Sequence, residues 1–407
     1  MEEWATYKLG EIAECSLGKM LDQRKNKGKP RTYLGNVAVR WGSFNIDPTQ
    51  TMLFEDHELE KYSLKKNDIV ICEGGEPGRC AIWKSNDTIL IQKALHRVRV
   101  NAEIADPLYV YYYITHLAKS HQLEPLFTGS TIKHLPRERL VSIEIRLPDL
   151  SIQKQISSIL ATIDDKRYTN SLINDNLEQQ VQALYKSWFI DFEPFKDGKF
   201  IDSELGIIPE GWKILPLSSL GTIICGKTPS KSNKDFYDGN IPFIKIPDMH
   251  NKIFVSNSED HLSDLGVNSQ RNKTIPPYSI LVSCIATVGL VCINTKVCQT
   301  NQQINTLIPY EDSYRIYLFL FLKSLREQLI TLGSGGTTTL NVNTSQFSNL
   351  KIIVPDTKSL KAFSSIAESL FQRINNNCDT NYMLSNLRDM ILPKLMTGEL
   401  KINDLDC

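Results

Sequence analysis

Residues 221–228 have the residue types and spacing of a phosphate-binding loop. In such a loop the backbone N–H groups wrap a phosphate, the lysine neutralises it, and the final hydroxyl binds Mg²⁺. A working loop must open a helix, but here Pro229 and Ser230 follow, and the four central residues are β-type and apolar. The sequence therefore argues against nucleotide binding at this segment.

A second candidate for chemistry is the Ile-Pro-Pro-Tyr run at residues 275–278, which has the form of the Asn/Asp-Pro-Pro-Tyr motif of amino-methyltransferases. In that motif the first side chain accepts hydrogen bonds from the target amino group, and Ile275 has no acceptor. No glycine-rich cofactor loop, nuclease-type carboxylate arrangement or metal-type histidine pair accompanies it. We therefore predict no catalytic residue, no metal site and no cofactor in this chain.

The cysteines and the apolar runs indicate the broad class of protein. The nine cysteines are odd in number and include no Cys-x-x-Cys pair, and Cys72, Cys80, Cys284 and Cys292 lie in apolar runs. This pattern predicts buried, reduced thiols. No apolar run approaches the roughly 20 residues of a membrane span, and the first four residues do not resemble a signal peptide. We expect a cytoplasmic protein with no membrane contact.

The strongest internal signal is a tandem repeat. Trp4, followed by Leu9 and Ile12, recurs as Trp212, followed by Leu217 and Leu220. Further pairs keep the same order about 210 residues apart: Gly78 with Gly289, Gly129 with Gly336, and Pro148 with Pro355. The chain is therefore predicted to contain two copies of one unit.

Each copy begins with short β-type runs, encloses one helix and ends in a long helical pattern. The β-type runs include residues 68–72, 81–83, 279–283 and 351–354, and the enclosed helices are predicted at 107–117 and 314–329. Apolar residues at seven-residue spacing predict long helices from about 151 to 189 and from about 358 to 392. Heptads sustained over this length are typical of a coiled coil.

Asn170 and Asn377 occupy equivalent a-type positions in these heptads. Each is either a buried polar residue that fixes register at a cost in stability or a residue that faces solvent, and the sequence favours neither. If a pseudo-dyad relates the two copies, the helices pack antiparallel. About 38 helical residues at 1.5 Å each would then make a rod of about 57 Å.

The expected fold class is α+β, with two tandem pseudo-symmetric repeats. Each is a globular α/β domain followed by a long helix, and the two long helices form an antiparallel coiled coil. The expected boundaries are residues 1–150 and 211–357 for the globular domains, 151–190 and 358–400 for the helices, and 191–210 for the linker. Two similar heads at a fixed separation suit a split, asymmetric DNA site, although the repeat alone suits a protein-binding scaffold equally well.

Charge gives partial support for DNA. The net charge is zero, which counts against a nucleic-acid binder. The basic residues are unevenly distributed along the chain, however. Six of them lie between Lys19 and Arg31, and Asp22 is the only acidic residue in that stretch. Since a basic cluster is usually a solvated surface, it needs independent support.

That support comes from segments that resemble the target recognition domains of type I restriction–modification specificity subunits. In the second copy these are Gly-Lys-Thr-Pro-Ser at 226–230, residues 238–244, and Thr-Asn-Gln-Gln-Ile-Asn at 300–305. Both copies also end in similar sequences, at residues 129–133 and 336–340, which precede an apolar-Pro-Asp turn and a long helix. The resemblance covers essentially the whole chain, and the motifs are specific through their order and duplication.

The resemblance implies a sequence-specific DNA-binding subunit that reads a bipartite, asymmetric target in double-stranded DNA, one half-site per head. It implies that chemistry belongs to partners: two methyltransferase subunits and, in the full complex, restriction subunits, which use S-adenosylmethionine, ATP and Mg²⁺. The helices would set the spacer length and help bind the methyltransferases. The alternatives are a scaffold that binds only proteins, a P-loop NTPase and a methyltransferase.

The first copy departs from the motifs that are common in the family, with Gly-Lys-Met-Leu-Asp at 18–22 and Gln-Lys-Ala-Leu-His-Arg at 92–97. This bears on which bases are read. Candidate contacts follow the usual preferences of Arg for guanine, Asn or Gln for adenine, and basic residues for phosphates. In the first copy we favour Lys19, Arg24, Lys25, Lys27 and Arg31 for phosphates, and Arg40, Arg79, Lys93, His96, Arg97, Lys133 and His134 for bases or backbone. In the second copy we favour Asn301, Gln302 and Gln303 for bases, with Lys227, Ser230, Lys231, Lys245 and Thr337 nearby.

Overall fold

The computed structural model describes residues 4–22, 26–334 and 340–402. The chain divides into two compact units, residues 1–168 with 381–407 and residues 169–380. Each unit holds one globular head together with the parts of both long helices that pack on it. We call residues 5–147 the first head and residues 213–354 the second head.

The first head is built from short strands around one central helix. Its elements are β1 (Ala5–Lys8), α1 (Leu9–Ile12), β2 (Ala13–Leu17), β3 (Lys29–Leu34), β4 (Val39–Arg40), β5 (Ser43–Phe44), β6 (Thr51–Phe54), α2 (Leu59–Tyr62), β7 (Ile69–Cys72), β8 (Cys80–Ile82), β9 (Leu90–Ile91), β10 (Leu95–Val100), α3 (Pro107–Lys119), α4 (Arg137–Leu140) and β11 (Glu144–Leu147). A four-stranded antiparallel sheet has the order β2-β10-β7-β8, and a three-stranded sheet has the order β6-β3-β9.

The second head repeats this plan after the first long helix. The elements are α5 (Leu150–Phe189), β12 (Phe200–Ser203), β13 (Gly206–Pro209), β14 (Lys213–Pro216), β15 (Gly221–Cys225), β16 (Tyr237–Ile244), α6 (Ile246–Met249), β17 (Phe254–Val255), β18 (His261–Leu262), α7 (Asp264–Asn268), β19 (Ile280–Ser283), β20 (Val291–Asn294), β21 (Gln299–Thr300), β22 (Ile304–Pro309), α8 (Arg315–Ser324), α9 (Arg326–Gly333), α10 (Thr344–Ser348), β23 (Lys351–Val354) and α11 (Thr357–Thr397). Its sheets have the orders β15-β22-β19-β20-β17 and β18-β16-β21. The order of the first head is kept with one strand added, so the predicted repeat is confirmed.

The central strands are apolar on both faces because both faces are covered. In β7, Ile69 and Ile71 pack in the core beneath α3, and Val70 and Cys72 pack in a second core against the three-stranded sheet. Alternate residues of a strand point to opposite faces, so a strand buried on both sides needs a continuous apolar run. The second head does the same with Ile280 and Leu281, which lie in two different cores.

Local sequence explains where the central helix of the first head begins. The side chain of Asp106 accepts a hydrogen bond from the N–H of Tyr109 at 3.0 Å, and Pro107 occupies the first helical position. A capping carboxylate followed by proline is a strong helix start. The predicted helix at 107–117 is thus confirmed, two residues longer at its end.

Two predicted helices differ from those observed. The expected single helix at 314–329 is two helices, α8 and α9, which meet at Leu325. The second long helix continues beyond the end of its heptad pattern near Leu392, through Pro393 to Thr397, within the expected boundary at residue 400. It continues because Leu395 and Met396 are buried in the core of unit 1, and this apolar burial offsets the hydrogen bond that proline removes.

The long helices pair antiparallel inside each unit. In unit 1, Arg388 of α11 donates to Asp164 of α5 at 2.8 Å. In unit 2, Asn174 lies opposite Asn377, and the tilted rings of Trp188 and Phe363 have centroids 6.1 Å apart. Residue numbers rise along α5 as they fall along α11, which confirms the expected antiparallel coiled coil.

Candidate nucleic-acid interface

One set of backbone hydrogen bonds anchors the loops at one edge of the first head. The N–H of Gly18 donates to the carbonyl of Leu95 at 3.0 Å, and the N–H of Lys19 donates to that of Ile91 at 2.9 Å. A Cβ on Gly18 would lie 2.4 Å from the carbonyl oxygen of Gln92, closer than real Cβ contacts come. Glycine is therefore required here, because the two chains approach too closely for a side chain.

The second head has the same anchors at equivalent positions. The N–H of Gly226 donates to the carbonyl of Ile304 at 3.1 Å, and the N–H of Lys227 donates to that of Thr300 at 2.9 Å. A Cβ on Gly226 would lie 2.2 Å from the carbonyl oxygen of Asn301. The glycine-lysine pair of the two copies is therefore equivalent in space as well as in sequence.

Each anchor holds a tight turn with two side chains at its tip. In the first head the N–H of Leu95 donates to the carbonyl of Gln92 at 3.2 Å, which leaves Lys93 and Ala94 at the tip. The N–H of Ile304 makes the equivalent bond in the second head, also at 3.2 Å, and leaves Gln302 and Gln303 at the tip. Lys93 and Gln302, the first tip residues, are both exposed.

Further loops join the same edge of the first head. The N–H of Glu73 donates to the carbonyl of Ala94 at 2.9 Å, and the N–H of Leu135 donates to that of Glu73 at 2.7 Å. The side-chain amide of Asn36 donates to the carbonyl of Gly74 at 2.8 Å. We call the surface formed by these segments the loop face of the first head: residues 18–21, 35–37, 73–76, 92–94 and 128–134.

The second head carries the matching surface. The N–H of Cys284 donates to the carbonyl of Gln303, and the N–H of Val342 donates to that of Cys284, both at 2.8 Å. Its described segments, which we call the loop face of the second head, are residues 226–229, 245–247, 284–286, 301–303 and 340–342. Two loop faces thus share one backbone frame and differ in their side chains.

In the second head, hydrogen bonds order the side chains around the turn. The hydroxyl of Thr228 donates to Oε1 of Gln302 at 2.6 Å, which fixes the orientation of that exposed amide. Asn301 is buried, accepts from the N–H of Gln303 at 3.2 Å and donates to its Oε1 at 2.9 Å. Asn301 therefore holds the turn, and Gln302 presents the more accessible amide.

The family follows from the two repeated segments. Residues 1–182 and 209–385 both match the model of the type I restriction modification DNA specificity domain. The chain belongs to the type I restriction–modification specificity subunit family. The HindI specificity subunit of Haemophilus influenzae is 34% identical over 98% of this chain and 100% of that protein. The MjaIX specificity subunit of Methanocaldococcus jannaschii is 30% identical over 73% of this chain and 70% of that protein.

A solved structure shares the fold of this specificity subunit. The crystal structure of the S subunit of the type I restriction–modification system of M. genitalium matches with a TM-score of 0.59 and 14% identity, covering 96% of each chain. At this identity the likeness concerns the fold alone.

Several predicted contact residues of the specificity subunit lie on or beside its loop faces. Lys93, Lys133 and His134 are exposed on the first, and Lys227 and Gln302 on the second. The guanidinium of Arg79 lies behind the first loop face, where it donates to Glu76 at 3.0 Å and to the carbonyl of Asn36 at 3.2 Å. Arg79 therefore supports the loop at 73–76.

Lys19 is the clearest correction to the expected phosphate contacts. Its side chain is 3% exposed, forms an ion pair with Glu58, and donates to the carbonyl of Leu53 at 3.0 Å. Burial would raise the pKa of Glu58, but hydrogen bonds from Lys19 and from the N–H of Glu55 outweigh it and hold that pKa below its usual value. An ammonium this enclosed has no path to a phosphate, so Lys19 acts within the fold.

His96 and Arg97 are also interior rather than DNA-facing. The imidazole of His96 shares a hydrogen bond of 2.8 Å with the carbonyl of Leu135, and burial lowers its pKa. Arg97 is buried and donates to Glu14 at 2.6 Å and to the carbonyl of Lys61 at 2.9 Å. Both side chains lie on β10, whose residues are covered on both faces, and sequence alone did not reveal that cover.

The remaining predicted residues lie apart from the turn tips. Lys27 lies just before β3 and Arg31 lies near its start, and both are exposed. Lys29 approaches Asp56 to 4.0 Å at this end of the strand. Only the other end of β3 meets the loop face. Lys245 pairs with Asp260 at 2.5 Å. Three further candidates are exposed: Arg40 on β4, and Ser230 and Lys231 just after residue 229. Arg24, Lys25 and Thr337 lie outside the described residues.

Sequence reasoning missed the residues that support the second loop face from inside. The amide of Gln270 is buried and donates to the carbonyl of Lys227 at 2.7 Å and to Oε1 of Gln299 at 2.8 Å. No sequence pattern links Gln270 to the loop face, because it lies far from Lys227 in sequence. The role of Thr228 could have been predicted, since it belongs to the Gly-Lys-Thr-Pro-Ser run.

The two rejected motifs have structural roles. Residues Gly221–Cys225 form β15, so a strand stands where a phosphate-binding loop would wrap its ligand. Ile275 is buried, and its N–H donates to the carbonyl of Cys298 at 2.9 Å. Neither segment presents the groups that its motif would need for chemistry.

The described residues include one cluster of potential metal ligands and several buried thiols. One group, Glu55, His57 and Glu58, brings its ligand atoms within 4.8 Å of one another, but Glu58 is already bonded to Lys19. Cys72, Cys80, Cys284 and Cys292 are buried and free, as predicted, and burial raises the pKa of Cys80 to about 12. Within the described ranges, no helix is both long and apolar enough to cross a bilayer.

Proposed function

We propose that this chain is the DNA-reading subunit of a type I restriction–modification enzyme and that its heads read the two half-sites of a bipartite, asymmetric target. The observation that carries the proposal is the pair of loop faces. They share anchors and turns, yet Lys93 stands in the first head where Gln302 stands in the second. Two readers with one frame and different tips suit two different half-sites.

The tip residues suggest what each head prefers. Lysine pairs with O6 and N7 of guanine, whereas glutamine pairs with N6 and N7 of adenine in the major groove. Thr228 occupies only one acceptor position on Gln302, so the amide keeps a donor and an acceptor for a base edge. We infer that Gln302 contacts an adenine, and that Lys93 contacts a guanine.

Basic residues near the tips supply the contacts that do not depend on sequence. Lys133 and His134 share the first loop face with Lys93, and Lys227 and Lys231 lie on or beside the second. Phosphate contacts supply most of the salt-dependent affinity of DNA-binding proteins. A chain with a net charge of zero can still bind DNA when its exposed cations gather in this way.

The long helices provide surfaces for protein partners. In unit 1 they expose large apolar side chains that a coiled-coil partner leaves uncovered: Tyr168, Tyr382, Met383, Leu387 and Met390. Exposed apolar patches of this kind mark protein interfaces. We infer that two methyltransferase subunits bind along the helices and that restriction subunits join in the full complex.

Catalysis then belongs to those partners. In this proposal they supply S-adenosylmethionine, ATP and Mg²⁺ chemistry, and this chain holds no cofactor and directs them to the target in the cytoplasm. The head residues bind and orient DNA, and the methyltransferases act on the adenine that the complex presents.

The test is methylation-site sequencing of host DNA with this gene present, deleted, or carrying Lys93→Ala or Gln302→Ala. Deletion is expected to abolish one bipartite adenine-methylated motif. Lys93→Ala is expected to relax only one half-site and Gln302→Ala only the other. Lys66→Ala is the matched control, since Lys66 is exposed on the first head at the far end of β7 from the loop face.

An unchanged methylation pattern on deletion would contradict the proposal where the partner subunits are expressed. Salt-dependent DNA binding by the complex would then be measured. Its absence would leave the protein-only scaffold as the better explanation of the repeat.

A further inference from the structure

Several large apolar side chains are exposed on the first loop face, among them Met20, Leu21, Val37 and Ile132, and Ile132 is the one that a closed hairpin carries between Thr128 and His134. Ile132 is 64% exposed, and Lys133 and His134, which follow it, are exposed as well. Contact with water does not stabilise an apolar side chain. An exposed isoleucine next to two basic side chains fits a ligand that is both anionic and able to cover an apolar group.

The hairpin that carries Ile132 is held in a fixed shape. Thr128 and His134 exchange two backbone hydrogen bonds, both of 2.8 Å. Gly129 has a φ of 91°, and a Cβ there would lie 2.2 Å from the carbonyl oxygen of Ile132. A side chain on such a short, closed turn is presented in one direction at little entropic cost on binding.

The hairpin belongs to the surface that we assign to DNA. The ring of His134 lies against Gly74, where a Cβ would come within 2.9 Å of Nδ1. Gly74 is held by Asn36, and the neighbouring Glu73 is bonded to Ala94 beside Lys93. Ile132 therefore shares one surface with the tip residue Lys93.

We propose that Ile132 is an apolar wedge that enters a base step of the half-site read by the first head. This rests on the proposed function. Side chains such as isoleucine and leucine enter base steps, partly unstack them and kink the duplex, while adjacent cations hold the phosphates. DNA is the occupant that fits, because stacked bases supply the apolar surface and the flanking phosphates match Lys133 and His134.

The wedge is specific to the first head. In the tandem repeat Thr339 takes the place of Ile132, as Gly336 takes that of Gly129. Threonine is smaller and polar, and so is a poor wedge. The distortion is therefore confined to one half-site, and specificity there includes how easily the step deforms.

The test uses the complex of the full chain with its methyltransferase subunits and duplexes that contain the mapped target. 2-Aminopurine is placed at successive positions of both half-sites, because its fluorescence rises when a base is unstacked. The wild type is expected to raise fluorescence at one position of the first half-site in addition to the adenines that the methyltransferases flip. Ile132→Ala is expected to remove that rise and to lower specific affinity roughly tenfold, with an unchanged salt slope, and Ile132→Leu to restore both.

Matched variants separate this contact from its neighbours. Ile104→Ala is the control, since Ile104 is 38% exposed on the same head but outside the loop face, and it is expected to behave as the wild type. Lys133→Ala is expected to lower the salt slope by about one and to keep the fluorescence rise.

The outcomes are distinguishable. If the wild type binds its target specifically and Ile132→Ala keeps both the fluorescence rise and the affinity, the wedge is overturned while the proposed function stands. If the wild-type complex shows no preference for the target, the proposed function itself fails.

Discussion

The side-chain amide of Asn377 donates a hydrogen bond of 2.8 Å to Oδ1 of Asn174 across the helix pair of unit 2. Asn170, one turn before Asn174, is only 2% exposed. The solvent-facing alternative for Asn170 is therefore wrong, and Asn377 has a partner across the seam. Whether these asparagines fix the register of the two helices is a prediction.

Replacing both members of the asparagine pair tests that role. Asn174→Leu or Asn377→Leu alone leaves one amide without its partner and is expected to lower the free energy of unfolding by about 1 kcal/mol. The double variant restores a matched, apolar pair and is expected to recover at least that amount. Urea unfolding of the four proteins gives the coupling. Gln179→Leu, at an exposed position of the same helix, is the control, and additive effects would contradict the pairing.

The ion pair between the buried Lys19 and the partly exposed Glu58 predicts that a variant loses stability and keeps its salt-dependent binding to DNA. Lys19→Met removes the charged partner of Glu58 and is expected to lower the free energy of unfolding by about 2 kcal/mol. The salt dependence of DNA binding is expected to stay at the wild-type value. Denaturant unfolding and a salt titration of DNA binding measure the two effects. A reduced slope of log affinity against log salt would show that Lys19 contacts DNA after all.

For the exposed lysines of the loop faces we expect the reverse of the Lys19 result: weaker salt dependence of DNA binding and unchanged stability. Lys93→Ala and Lys227→Ala each remove an exposed cation that we propose to lie near DNA, and each is expected to lower the slope of log affinity against log salt by up to about one. Neither is expected to change stability by more than about 0.5 kcal/mol. Slopes that match that of the Lys66→Ala control would place these lysines away from the DNA.

His96 predicts how stability depends on pH. Because burial lowers the pKa of His96 in the folded protein, the unfolded chain takes up a proton first as the pH falls. The contribution of the neutral His96 to the free energy of unfolding is therefore fully present above about pH 6.5. As the pH falls below that value, the free energy of unfolding decreases by up to about 1.4 kcal/mol per pH unit. His96→Asn is expected to flatten this loss in part, since burial also lowers the pKa of His116. Identical pH profiles of the two proteins, measured by denaturant unfolding, would contradict the assignment.

Sequence patterns predicted the features that repeat or alternate. The heptads gave α5 almost to the residue, and the apolar run at Lys351–Val354 matched β23. The tandem repeat holds in detail, because Gly78 and Gly289 both have positive φ, 90° and 87°, and both donate from N–H to the residue six positions earlier. Such features depend on local geometry, which sequence records directly.

The candidate site was harder to predict because exposure is a tertiary property. His96 and Lys93 lie three residues apart, yet one is enclosed by the head and the other stands on a turn tip. Lys19 and Glu58 meet across 39 positions, a separation that no local pattern records. Residue type alone therefore could not separate basic residues that support the loops from those that present a charge.

If the loop faces read DNA as we propose, their construction has a consequence for how new DNA specificities arise. Their anchors at Gly18, Lys19, Gly226 and Lys227 are main-chain hydrogen bonds, which any side chain at the tips leaves intact. Substitution of Lys93 or Gln302 therefore costs the fold little. Foldability and target choice can then evolve almost independently, and each head can acquire a new preference while the other keeps its own.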